Sequence, residues 1–223
     1  MSAFSLLEQL LKSGLPATGT PQRDDLNKYA SGAAVGGVLG LLLGTRRGRS
    51  LGGSALKLGS VAAIGALAWK AYQDHQASQQ AQAPAPAAGA PQGASSPPVF
   101  EALPAPQLEL HSRAMLKAMI AAAKADGHMD EREQALLTAE LQRGQADGAT
   151  RAWVQAELQR PVEPAEVAAA ATGPEMASEI YLASLLVVDQ TSTMERAYLD
   201  ALARELRLAP GLKSDLEARA TAA

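Results

Sequence analysis

Four carboxylates in the second half of the chain carry most of the chemistry its sequence offers. Asp126 and Asp130 bracket a glycine-containing turn, Asp126-Gly127-His128-Met129-Asp130, and Asp189 and Glu195 bracket a second turn that begins 63 residues after Asp126. Oxygen ligands gathered from two such turns suit a hard cation, Ca²⁺ or Mg²⁺. The arrangement is not an EF-hand, whose loop alternates several oxygen ligands before its glycine; here glycine follows the first Asp directly. Helix capping accounts for part of the same pattern. Asp130 with Glu133, and Ser192 with Glu195, have the spacing of capping boxes, in which each side chain answers a backbone N–H of the first turn. Asp126 and Asp189 fall at helix C-terminal ends, where a negative charge meets the unfavourable end of the dipole, so capping explains them less well.

Other chemistries are excluded residue by residue. The chain has no cysteine, which removes thiolate nucleophiles, disulfides and Cys-ligated metal centres. His75, His111 and His128 form no HExxH pair, and the glycines of residues 32–44 lack the Gly-Lys-Ser/Thr ending of a phosphate-binding loop. No catalytic or cofactor-binding residue is singled out. The whole chain has 20 Lys+Arg against 23 Asp+Glu, a formal charge of −3, which argues against a nucleic-acid partner.

The elements that must position these residues are helices. Two Phe, two Trp and four Tyr leave the core to Leu, Ala, Met, Val and Ile. Within residues 107–223, apolar faces and start signals predict six or seven helices in one compact bundle. The helix from Leu108 ends before Asp126, another runs from Asp130 to about Arg143, and Gly144 with Asp147-Gly148 closes it. Further helices hold Trp153, Val154 and Leu158, then start at Pro164, at Pro174 behind a Thr172–Glu175 capping box, at Ser192, and at Pro210. The stretch Met176 to Val188 is the most apolar and belongs at the bundle centre. A weak duplication relates the two Asp-bearing turns and would bring them to one side of the bundle if the halves pack about a two-fold axis.

The first half reads differently. Residues 1–28 open with an amphipathic segment, Phe4 to Leu11. Residues 29–72 hold two weakly polar stretches, 29–44 and 51–69, joined by a turn carrying Arg46, Arg47 and Arg49. Gly32, Gly36, Gly40 and Gly44 stand in strict i,i+4 register, a smooth face suited to close helix packing in a bilayer. Trp69, Lys70 and Tyr72 look like an interfacial anchor. The expectation is a membrane hairpin, ahead of one spanning helix with an interfacial segment or a buried Gly-rich helix in water, with the bilayer as a partner and a homo-oligomer formed through the glycine face. Residues 73–106, rich in Pro, Ala and Gln, read as a flexible linker, and 107–223 as an acidic bundle offered to a protein partner.

The stretch Ala122-Ala-Lys124-Ala-Asp126-Gly127-His128-Met129-Asp130-Glu131-Arg132-Glu133 resembles the acidic turn of TerB-like domains, the family associated by name with tellurite resistance. Tyr181-Leu-Ala-Ser-Leu, Val188-Asp189 and Met194-Glu195-Arg196-Ala197-Tyr198-Leu199 resemble the YebE-like inner-membrane proteins of Gram-negative bacteria. In the second turn Asp189-Gln190 replaces the Asp-Gly of TerB-like relatives. The resemblance implies an all-α, TerB-like bundle tethered to a Gly-rich membrane anchor, in the bacterial inner membrane with the bundle cytoplasmic. It implies no established activity. The functional expectation is a membrane-anchored interaction or scaffold module, related to envelope or metal and oxyanion stress. The alternative is a divalent-cation sensor or metal-dependent enzyme using Asp126, Asp130, Asp189 and Glu195.

Overall fold

The computed structural model of the chain describes residues 2–13, 61–82, 103–125, 147–188 and 192–222. Among these residues there are eight helices and no strand: α1 (Ala3–Ser13), α2 (Val61–Gln82), α3 (Ala105–Ala123), α4 (Gly148–Gln159), α5 (Pro164–Ala168), α6 (Pro174–Leu185), α7 (Thr193–Glu205) and α8 (Pro210–Ala222).

Helix α6 is apolar or small on every side apart from Glu179, and every residue from Met176 to Leu185 is buried. Such a helix has no side to give to water, so it must be surrounded. Helices α2 and α3 take up most of its surface, with α8, α7 and α5 completing the cover. Its buried polar groups are all answered. Ser178 donates to the Pro174 carbonyl at 2.9 Å and Ser184 to that of Ile180 at 3.0 Å. Tyr181 donates its hydroxyl to Glu217 on α8 at 2.8 Å, and His111 Nε2 on α3 is hydrogen-bonded to Glu179. Burial, reinforced by the Glu217 carboxylate, pushes the Tyr181 phenol up, which keeps it neutral and donating.

The largest departure from the sequence reading is α2. Val61, Ile64, Ala68 and Ala71 recur at helical spacing and are buried, all but Val61 completely, on the face that α2 turns to the bundle. At Gly65 the helix passes over the buried Glu179 carboxylate, and a Cβ there would stand in ordinary contact, 3.4 Å from Glu179 Oε1. The polar second half of α2 crosses the expected boundary between residues 72 and 73 and is clasped by α8. Arg219 donates to Asp74 at 2.6 Å and holds that carboxyl below the usual range, while the backbone at Gly211 passes close to the His75 ring. Lys70, expected to anchor at an interface, pairs with Asp74 at 3.8 Å.

The expected architecture, a bundle tethered to a membrane anchor, is therefore corrected. The described part of the second apolar stretch is a wall of the bundle core, and no described helix is long and apolar enough to cross a membrane. The hairpin, the bilayer as a partner and the inner-membrane placement that rested on it find no support among the described residues, and the first apolar stretch, 29–44, lies outside them. The glycine face, Gly32, Gly36, Gly40 and Gly44, lies outside the described residues, so the homo-oligomer built on it has no structural footing. Helix α1 also joins the bundle, burying Ala3, Leu6, Leu7 and Leu11 chiefly against α3 and along the edge of α2.

Helix starts differ in instructive ways. Asp147, expected to close the preceding helix, is the N-cap of α4, accepting from the Thr150 N–H at 2.7 Å. The Thr172–Glu175 capping box does not form: Gly173 occupies the N-cap position in an extended conformation, and Thr172 turns its hydroxyl to the Met176 sulfur at 3.4 Å. Pro174 starts α6 instead, its fixed φ suiting the first turn.

Because Ile64 is fully buried among core residues, Ile64→Ala should lower unfolding stability by about 2–5 kcal/mol in urea denaturation. A chain beginning at Gln107 loses both α1 and α2 and should unfold at a markedly lower urea concentration than the full chain, with a broader transition.

Candidate functional site

A cleft of about 750 Å³ opens between α3, α4 and the corner that joins α5 to α6. Its first wall is the outer face of α3. Pro104 and Pro106 set the start of that helix, which then presents Leu110, His111, Arg113 and Lys117 to the cleft. Leu110 is a large apolar side chain left 69% exposed. The second wall is α4, whose Asp147 cap and buried Thr150, Val154 and Leu158 fix the direction of Trp153, Glu157 and Arg160. Met176, at the start of α6, lies at the back.

Charge in this cleft is held in pairs. The Arg113 guanidinium carbon lies 5.5 Å from the Trp153 ring centroid, a cation–π arrangement, and its Nε donates to Glu109 at 3.0 Å. Arg160 pairs with the buried Glu157 at 3.1 Å, and Lys117 with Glu166 at 3.6 Å. Of the carboxylates involved only Glu157 lines the cleft, while Glu109 and Glu166 hold their cations from just outside it. His111 is fixed from below by Glu179. The cleft thus joins an apolar floor to several cations in set positions, the usual composition of a small-molecule site.

Lys124 supports the second wall. Its ammonium donates to the backbone carbonyls of Glu157, at 3.1 Å, and Arg160, which are orphan acceptors at the C-terminal end of α4. Desolvation lowers its pKa, with the Glu157 charge acting in the opposite direction. In the sequence Lys124 stands beside the acidic turn, yet here it terminates a helix 33 residues away.

The cation site expected from the acidic turns receives no support. Asp126, Asp130, Glu133 and Asp189 lie outside the described residues. Glu195 is 3% exposed in the first turn of α7, where its N–H is accepted by Ser192 Oγ at 3.4 Å. Among the described residues no group of three or more His, Asp or Glu could hold a metal ion. The divalent-cation sensor and the metal-dependent enzyme therefore have no footing among the described residues, three of their four ligands lying outside them. The protein partner expected for the acidic bundle likewise finds no support among the described residues, whose cleft cations are each paired with a carboxylate. Sequence reasoning missed Arg113, Trp153 and Arg160 as a group, since they come from helices whose separation gives no periodic signal.

Two tests follow from the supports of the α4 wall. Lys124→Met should destabilise the fold by about 1 kcal/mol, the usual size of a cation at a helix C-terminus. The Thr150 N–H holds the Asp147 carboxyl below the usual range, so its contribution is present above the unfolded pKa and is lost as pH falls through the folded one. Asp147→Ala should therefore shift the urea midpoint at pH 7, and the difference from wild type should shrink toward zero on acidification below about pH 4.

Comparison with known proteins places this fold in a group without an assigned activity. A protein of Yersinia enterocolitica described as "Uncharacterized protein in ampR 5'region" is 25% identical over 103 residues, covering 46% of this chain and 74% of that protein. No solved structure matches the chain significantly. The family model described as "Protein of unknown function (DUF533)" matches residues 28–220, which spans α2 through most of α8. Neither the YebE-like nor the TerB-like name attaches to that match, and the resemblance drawn from the acidic turns is corrected by it: the chain belongs to the DUF533 family.

Proposed function

We propose that this protein is a binding module whose cleft between α3 and α4 takes a small amphipathic anion with an aromatic or aliphatic body. The observation that carries this reading is the placement of Arg113 and Arg160 beside Trp153, Leu110 and Met176 in one cleft of about 750 Å³. An apolar body would rest against Met176 and cover Leu110, removing the latter from water, and its anionic group would meet a guanidinium fork already oriented by stacking on Trp153. Pairing with Glu109 and Glu157 does not close the arginines to a ligand, although each carboxylate competes with it for the guanidinium charge. A guanidinium has five N–H donors, and Arg113 and Arg160 each give only one of them to these carboxylates.

The direct test compares two dyes of similar aromatic body. 8-Anilinonaphthalene-1-sulfonate carries an anion, and N-phenyl-1-naphthylamine does not. Calorimetric titration of the folded full chain should show saturable one-to-one binding of the sulfonate, weakened about tenfold in Arg160→Gln and in Trp153→Ala. The uncharged dye should bind at least tenfold more weakly. Absence of saturable sulfonate binding, or binding unaffected by both substitutions, would overturn the reading.

A further inference from the structure

Glu109 joins the cleft to the N-terminal helix. Its Oε2 accepts the Ala3 N–H at 2.9 Å, one of the orphan donors at the start of α1, where the helix dipole favours a negative charge. Its Oε1 accepts from Arg113 Nε at 3.0 Å, and Arg113 in turn lies over Trp153 in the cleft. One carboxylate therefore serves both a helix terminus and a cleft cation, and both side chains of the pair are partly accessible, Glu109 at 28% and Arg113 at 36%. Glu109 stands on α3, 106 residues from Ala3, so the link is tertiary and not a local turn.

We propose that anion binding in the cleft and docking of the first turn of α1 compete through Glu109. This rests on the cleft reading given above. An anion that engages Arg113 draws the guanidinium from Glu109, and Glu109 loses the partner that fixes its rotamer over the α1 terminus. Conversely, Glu109 holds Arg113 back from a ligand as long as it caps α1. Two sites that bias one shared side chain in opposite directions are coupled reciprocally. The leucines of α1, buried against the bundle, limit the effect to its first turn, so the helix loosens at its start and does not leave the bundle.

The experiment uses the full chain with 8-anilinonaphthalene-1-sulfonate as the probe. Hydrogen exchange of residues 3–11 is followed with and without dye, and dye affinity is measured in wild type and Glu109→Gln. The expected result is faster exchange in the first turn of α1 on saturation, and about fivefold tighter binding by Glu109→Gln, at the low end of usual coupling factors because the pair is partly solvated. Affinity for N-phenyl-1-naphthylamine should be the same in both chains, which separates release of Arg113 from a general loosening of the apolar core. If the sulfonate binds wild type but leaves both α1 exchange and the Glu109→Gln affinity unchanged, the coupling is wrong and the cleft reading stands. If neither chain binds it, both fall together.

Discussion

Everything in this fold follows from one helix having no face for water. The α6 sequence carries Ile180, Tyr181, Leu182 and Leu185 together with Ala177, Ser178, Ala183 and Ser184, so large and small side chains point in every direction. Burying all of them demands neighbours all round, and those neighbours come from both ends of the chain. Helix α2 supplies one wall with Val61, Ile64, Ala68 and Ala71, and α3 another with Met115, Ala118 and Ala122. Helix α8 then locks the far side through the Tyr181 and Arg219 contacts. The cleft is a by-product of the same arrangement: α3 gives its inner face to α6 and α1, which leaves Leu110, Arg113 and Lys117 for the outer surface that α4 meets.

Much of the helical layout was legible in the sequence, because proline and serine start signals act locally. Pro164, Pro174, Ser192 and Pro210 each stand at or beside the start of an observed helix. Failures occurred where two local readings compete. Asp147-Gly148 can end one helix or begin the next, and only the hydrogen bond to the Thr150 N–H decides between them. Thr172 had the right spacing for a capping box, but the Met176 sulfur took its hydroxyl.

The misreading of α2 has a deeper cause. Apolar residues with glycine at intervals describe a surface that excludes water, and lipid and protein both satisfy it. What distinguishes them is continuity. The buried seam runs through Ala68 to Ala71 and passes into polar residues on the same helix, with Asp74 and His75 meeting α8. Ending the apolar element at Tyr72 and treating the remainder as linker hid that amphipathic continuation. The cleft was hidden for a different reason. Arg113 and Trp153 meet only because Asp147 and Lys124 aim α4 across α3, and no spacing within either helix records that encounter.

The central structural claim is that α2 lies inside the bundle, clasped by α8. The natural chain has no cysteine, so a pair introduced at His75 and Gly211 reports on that contact without interference. In the His75→Cys, Gly211→Cys chain, treatment with a short bismaleimide should give near-complete intramolecular crosslinking in aqueous buffer without detergent, and the crosslink should vanish in urea. Failure to crosslink in the folded chain, with both thiols reacting singly and freely, would contradict the packing of α2 against α8 and with it the bundle that the described helices form.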